Sequence, residues 1–329
     1  MANSKHQHET ALSIVVPCYN EEEVLPETSR RLAALLDRLI EDDLVTSGSR
    51  VYFVDDGSAD RTWELIESQS QADPRFQGIK LTRNHGHQNA LLAGLFTVPG
   101  DLIVSIDADL QDDIEVIIDM VKRAHAGDDI VFGVRQAREK DTMSKRVTAQ
   151  MFYKLMRRMG VDLIYNHADY RLMSRQAIEI LKDFPEINLF LRGLIPLIGL
   201  KTSVVEYDRE ERFAGESKYP LRRQISLALN GITSFSVTPL RMITTLGLVM
   251  FLISTALGLW AIWLRLATDA VVPGWASITV PIFLLGGVQL LALGTIGEYL
   301  AKTYMETKRR PRFLIETTTQ KSPDGQAST

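Results

Sequence analysis

Two aspartates, Asp107 and Asp109, stand one residue apart where the apolar run LIVSI stops. Close carboxylates repel one another unless a cation sits between them. Mg²⁺ and Mn²⁺ prefer hard oxygen ligands and commonly bridge a carboxylate to a substrate phosphate. Two other apolar runs end in acids and amides: Pro17-Cys18-Tyr19-Asn20-Glu21 and Asp55-Asp56-Gly57-Ser58. Asp and Ser also favour turns and helix caps, and Ser58, Asp60 and Asp113 read as capping residues. Capping explains any one of these clusters. It does not explain the close pair at 107 and 109.

The elements that must position these groups are short β-branched runs: LSIVVP, VYFVDD, GIKLTR, DLIVSID and DIVFGVR. Helical stretches alternate with them at Glu27–Ile40, Arg61–Gln71, Asn89–Phe96 and Ile114–Ala126. Such alternation predicts a parallel α/β sheet with helices on both faces. Ligands of such sheets bind beyond the carboxyl ends of the strands. All three clusters lie there.

The chain has 329 residues, 45% hydrophobic and 24% charged, which excludes a disordered or collagen-like protein. A net charge of −4 argues against nucleic-acid binding through bulk positive charge. The single cysteine, Cys18, excludes an internal disulfide framework and a CxxC site. A mean hydropathy of −0.02 conceals an uneven distribution. Residues 242–264 are uncharged between Arg241 and Arg265, and residues 270–297 are uncharged again. About 20 apolar residues suffice to cross a bilayer as a helix. The reading is two spans, about 242–264 and 276–297, with Pro273-Gly274 in the turn between them and Trp275 at the interface. Arg222, Arg223 and Arg241 precede the first span; Lys302, Lys308, Arg309, Arg310 and Arg312 follow the second. The positive-inside rule then puts both termini and the N-terminal region in the cytoplasm. The first residues, MANSKHQHET, lack the apolar core of a signal peptide, in keeping with this. The tail after Phe313 reads as disordered.

There is no GxGxxG after a strand, no GxxxxGK[ST] and no GxSxG, which disfavours a dinucleotide oxidoreductase, a P-loop NTPase and an α/β-hydrolase. What the chain does carry, in order, is VVPCYNEEE, VDDGSADRT, LTRNHGHQNALLAG, SIDADLQDD, DYRLMSR and RFAGESKY. Together these resemble a family 2 inverting glycosyltransferase of the GT-A fold, in the polyprenyl-phosphate branch. That branch holds the dolichol-phosphate mannosyltransferases and the bactoprenol glucosyltransferases, and the paired C-terminal spans resemble the latter.

The resemblance implies an α/β, Rossmann-like GT-A catalytic domain over 11–220, after a tail at 1–10. An amphipathic juxtamembrane segment follows at 221–241, then a two-helix transmembrane hairpin at 242–298 and a basic cytoplasmic tail at 299–329. It implies that Pro17, Tyr19, Asn20, Glu21, Asp55 and Asp56 surround the donor's base and ribose, with Asn84, Gly86 and Gln88 bordering the pocket. One of the two aspartates of the second cluster is open to a role in shaping the turn alone. His85 and His87, two apart in a loop, read as packing or hydrogen-bonding residues and not as metal ligands. Asp107, Asp109 and Gln111 match the family's motif for Mg²⁺ or Mn²⁺, with Asp107 also facing the donor.

Asp169 and Arg171 match residues facing the acceptor. A sugar acceptor needs a carboxylate base, whereas a lipid phosphate, with a second pKa of about 6, is already anionic. Asp169 is therefore either a base or an orienting group. Arg135 and Arg171 are suited to hold the acceptor phosphate through forked bonds. Arg212, Ser217 and Lys218 match a mobile loop at the donor diphosphate and acceptor. Ala168 and Asn230 depart from the glycine and the acid that many relatives carry there. The function implied is transfer of one sugar, UDP-glucose favoured as donor, to undecaprenyl or a similar polyprenyl phosphate. GDP-mannose and a modified donor such as aminoarabinose are the alternatives, and a catalytically silent membrane-anchored binding protein is the other class. The partners are a nucleotide sugar, the lipid and the membrane, without nucleic acid. Gly286-Gly287 and Gly294 allow helix packing in a homo-oligomer. A polysaccharide synthase would carry QxxRW, which is lacking.

Overall fold

The computed structural model describes residues 10–135, 167–186, 191–208, 236–267 and 275–319. Described residues up to 208 form one compact unit together with 310–319, and those between 236 and 309 form another.

The first unit is built on one sheet. Its strands are β1 (Leu12–Cys18), β2 (Arg50–Asp55), β3 (Phe76–Leu81), β4 (Leu102–Ser105), β5 (Ile130–Arg135), β6 (His167–Ser174), β7 (Thr202–Tyr207) and β8 (Ile315–Thr318). The helices are α1 (Leu25–Glu41), α2 (Thr62–Ala72), α3 (His87–Thr97), α4 (Val116–His125), α5 (Arg175–Lys182) and the short α6 (Leu191–Leu194). The first four helices fall within two residues of the stretches expected from sequence. Strand order is β7-β5-β6-β4-β1-β2-β3-β8. All seven residues of β1 are buried, as a central parallel strand covered on both faces requires. On one face Leu12, Ile14 and Val16 pack with Leu32, Leu35, Leu36 and Leu39 of α1 and with Ile117 and Val121 of α4. Those α1 leucines recur at helical spacing, and a proline in the first turn starts the helix. On the other face α3 rests against Val15 and Val54 at Gly94.

β1 lies between β2 and β4 and runs parallel to both. The chain therefore winds away from it in opposite directions, leaving a crevice at the strands' carboxyl ends. Cys18, Asp55 and the residues after Ser105 all reach that rim.

Three expectations need correction, the first being a wholly parallel sheet. β6 inserts between β4 and β5 and is antiparallel to both. Its sequence HADYRLMS interleaves Asp169 and Arg171 with buried Tyr170 and Leu172, so it lacks the unbroken apolar run of its neighbours. The tail expected to be disordered instead supplies β8, antiparallel to β3. Thr319 completes it: its N–H donates to the Gly78 carbonyl at 3.0 Å and its Oγ1 accepts from Gly78 N at 2.7 Å. An edge strand needs only backbone pairing, so an exposed polar sequence can form it. Lastly, the supposed tail from 299 begins inside a helix, which ends at Thr307.

The second unit holds α7 (Thr238–Ala267) and α8 (Trp275–Thr307), which contain the expected spans. Within α8, Leu284–Thr307 is long and apolar enough to cross a membrane. Large apolar side chains lie exposed on both helices, including Leu248, Leu252, Trp260 and Trp263 on α7 and Ile282, Leu290, Leu291 and Leu300 on α8. Tyr299 Oη donates to the Ser236 carbonyl at 2.5 Å. That bond joins the late part of α8 to the chain entering α7.

Candidate active site

Strand register assembles the chemical centre. Ser105 of β4 stands opposite Arg171 of β6. Two residues onward from Ser105 is Asp107, and two residues back along β6 is Asp169, so the antiparallel ladder carries both acids to one place. Ser105 Oγ donates to the Asp169 carbonyl at 2.6 Å and holds this register. Asp169 and Arg171, alternate residues, share a face, and Arg171 Nη2 donates to Asp169 Oδ1 at 2.5 Å. His87, the first residue of α3, puts Nε2 3.5 Å from Asp107 Oδ1 and 3.6 Å from Asp169 Oδ2. Arg192 of α6 adds Nη2 at 3.3 Å from Asp169 Oδ2.

These neighbours set the charges. Desolvation in the cleft pushes Asp107 up to about 6, aided by Asp169, Asp112 and Asp109 and opposed by His87. Burial alone would raise Asp169 as well. His87, Arg171 and Arg192 reverse this and hold it well below the usual carboxylate range. Desolvation would depress His87, but Asp169 and Asp107 outweigh it and raise the imidazole.

Asp107 keeps about a third of its side chain exposed (35%), and Asp109 is also partly exposed. Asp109 Oδ1 accepts from the Gln111 N–H at 3.2 Å. Leu110 between them has φ 54°, a left-handed conformation costly for leucine. Gln111 itself is buried. No group of three His, Cys, Asp or Glu side chains among the described residues could hold a metal alone. Asp107 and Asp109 fit the other arrangement, in which one or two carboxylates hold a cation whose remaining ligands are water and substrate phosphate.

At the ends of β1 and β2 the residues divide by role. Asp55 Oδ1 accepts from Ser58 N at 3.1 Å, while its buried Oδ2 has no partner among the described residues. An unpaired buried acceptor of this kind suits a ligand N–H or O–H. Asp56 spends both oxygens on the loop, accepting from His85 N at 2.7 Å and Gly86 N at 2.9 Å. Asp56 is thus the member of the pair that shapes the turn. Asn20, also left-handed, likewise ties loops together: its Oδ1 accepts from Ala59 N at 2.8 Å and its N–H donates to Ser58 Oγ. Gly57 is required there, because a Cβ would lie 2.6 Å from the Arg83 backbone. Pro17 is buried in β1, Tyr19 is about half exposed beyond it, and Glu21 lines a groove with Glu22, Glu23 and Asp60. Asn84 is exposed, and Gln88 Oε1 is buried without a partner among the described residues. Asp60 and Asp113 accept from Thr62 N and Glu115 N at helix starts, as expected, whereas Ser58 serves Asn20.

The two arginines expected to grip an acceptor phosphate are otherwise engaged. Arg171 is fully buried in the sheet and braces Asp169. Arg135 donates through Nη2 to Asp112 Oδ1 at 2.9 Å and through Nε to Tyr207 Oη at 3.2 Å. Tyr207 Oη in turn donates to Asp112 at 2.6 Å. β6 lies in mid-sheet, and the sheet packs on both faces, so alternation sends Arg171 inward. Arg212, Ser217 and Lys218 lie outside the described residues, as does 221–235 of the juxtamembrane segment.

Two residues of the centre were not singled out from sequence for it, His87 and Arg192. His87 opens a helix directly after Gly86, where a side chain faces the rim. Arg192 was detectable as the lone charge in LFLRGLIPLIGL.

Known proteins resemble this chain over most of its length. The Bacillus subtilis (strain 168) protein named "uncharacterized glycosyltransferase YkoT" is 52% identical over 314 residues, 94% of this chain and 92% of that one. The bactoprenol glucosyl transferase of Shigella phage SfX is 42% identical over 309 residues, 93% and 98% of the two chains. A looser structural likeness links 68% of this chain to 76% of Mycobacterium tuberculosis glucosyl-3-phosphoglycerate synthase in complex with Mn²⁺, UDP and phosphoglyceric acid, at 19% identity and TM-score 0.46. Residues 13–181 match the pattern of the glycosyl transferases of family 2. This chain belongs to glycosyl transferase family 2, on a GT-A-like α/β fold.

Proposed function

We propose that this glycosyltransferase moves one sugar, with inversion, from UDP-glucose to a polyprenyl phosphate at the cytoplasmic membrane face. The observation that carries the reading is the meeting of Asp107 and Asp169 with His87 and Arg192 at one rim, in a chain about 41–42% identical along its length to bactoprenol glucosyl transferases.

Asp55, with its unpaired oxygen, and half-exposed Tyr19 receive the nucleoside. Asp107 and Asp109 hold Mg²⁺ or Mn²⁺, which when bound neutralises charge on the diphosphate leaving group. Asp169 orients and does not deprotonate: a carboxylate held this far below its usual range is a poor proton acceptor, and a phosphate nucleophile needs none. Arg192, 38% exposed in its side chain, is the cation placed to meet the acceptor phosphate. The apolar helix and the bactoprenol-linked relatives point to membrane association. We read α7 and α8 as a two-span hairpin with cytoplasmic ends, supported by their exposed apolar faces and the basic residues that flank them.

The test is an assay of purified full-length protein with polyprenyl phosphate, Mg²⁺ or Mn²⁺ and a panel of nucleotide sugars. Lipid-linked glucose from UDP-glucose is expected, and none from Asp109→Ala. Product from GDP-mannose or an aminoarabinose donor alone would replace the donor assignment. No product from any donor, or full activity in Asp109→Ala, would overturn the reading and favour a silent binding protein.

A further inference from the structure

Asp169 is gripped from three directions. Arg171 comes from within the sheet, whereas His87 and Arg192 arrive on segments outside it. Residues 82–86 lead into α3, and residues 183–186 follow α5 on the way to Arg192. Neither approach is fixed by strand pairing. Both meet the segment 312–314. Thr82 N donates to the Leu314 carbonyl at 3.0 Å, and Arg312 Nη2 donates to the Phe184 carbonyl.

Arg312 is itself anchored. Two residues later stands that Leu314 carbonyl, and β8 then pairs along β3 as far as the Thr319 bonds to Gly78. Lys80 and Glu316 add an ion pair at 3.3 Å. β8 is exposed at every position, so it contributes little to the core. Its effect is to bring one guanidinium and one backbone group to the junction of the two approach segments.

We propose that Arg312 is a positioning residue, tying residues 82–86, which lead into α3, to residues 183–186, which precede Arg192, so that His87 and Arg192 meet Asp169 in register. This rests on the catalytic reading of that centre given above. A guanidinium–carbonyl bond is charge-assisted and directional. Loss of the tie leaves Asp169 and its sheet partner in place and loosens the other two groups.

The experiment uses the full-length protein and the transferase assay with UDP-glucose and polyprenyl phosphate. Arg312→Ala should lower kcat about tenfold, the scale of loss from slight misplacement of reacting groups, with the donor KM unchanged. In the Arg192→Ala background the same change should cost less than tenfold, because part of its effect acts through Arg192. Arg312→Lys, which keeps a donor, should recover part of the rate. Arg310→Ala, removing a neighbouring cation, should leave kcat unaltered and so separates the tie from general attraction to anionic lipid. Hydrogen exchange should rise in peptides covering 82–88 and 183–186 of Arg312→Ala, and stay unchanged in α1. Unaltered exchange there, multiplicative losses with Arg192→Ala, or an equal effect of Arg310→Ala would overturn the proposal. If the unmodified protein transfers no sugar at all, the functional reading fails, and the exchange measurement still decides the tie.

Discussion

Arg171 Nη2 lies 2.5 Å from Asp169 Oδ1, and the arginine side chain is wholly buried. Its Nε and Nη1 have no other partner among the described residues. Removing one member of a buried ion pair costs about 3–5 kcal/mol, because the other is left uncompensated. Asp169→Ala should therefore lose stability as well as activity. Arg171→Met in that background should recover most of the melting temperature and none of the turnover. Thermal unfolding of the two variants, followed by circular dichroism, checks this.

Asp107 carries the pH dependence. Its folded pKa, about 6, lies above the ordinary carboxylate value, so the fold favours its protonated form. Its ionisation costs stability as pH rises from about 4 to about 6. Asp107→Asn should match the parent's melting temperature at pH 4 and exceed it at pH 8. A melting series across that range in the absence of divalent metal measures the difference.

A cation competes with the proton at the same carboxylate. Mn²⁺ affinity in the presence of UDP should fall about tenfold per unit below pH 6. Asp109→Ala should weaken it at every pH. Electron paramagnetic resonance of free Mn²⁺ gives the binding curves, and equal affinity in Asp109→Ala would remove Asp109 from the metal site.

Arg192 and Arg171 should separate kinetically. Arg192→Gln should raise the KM for polyprenyl phosphate about tenfold, in line with loss of a charge-assisted bond worth about 1.5–3 kcal/mol. The donor KM should change little. Initial rates over both substrates test it.

Gly94 holds α3, and with it His87, close to the sheet. A Cβ there would lie 2.3 Å from Val15 Cγ1 and 2.9 Å from Val54 Cγ2. Gly94→Ala should cost about 1–3 kcal/mol by overpacking, despite the better helix propensity of alanine. Its melting temperature, read beside that of the exposed α2 variant Ser68→Ala, provides the comparison.

Much of this protein was readable as a linear pattern. The β-branched runs, helical stretches and uncharged spans are local in origin, since each depends on residues a few positions apart. The acidic clusters at the ends of β1, β2 and β4 were readable for the same reason, and so were Asp107 and Asp109. What depends on strand register was not. Nothing local says that β6 enters the sheet backwards beside β4, and only that reversal sets Asp169 across from Asp107 and turns Arg171 inward. Backbone pairing across distant segments turned a polar tail into β8. Hydrogen-bond partners decided that Asp56 shapes a loop while Asp55 keeps an acceptor unpaired, a difference two adjacent aspartates cannot show by their type. Residue chemistry was thus set by the sequence itself. Which charges meet, and which are buried beyond reach of a ligand, was settled by long-range pairing and the desolvation that follows from it.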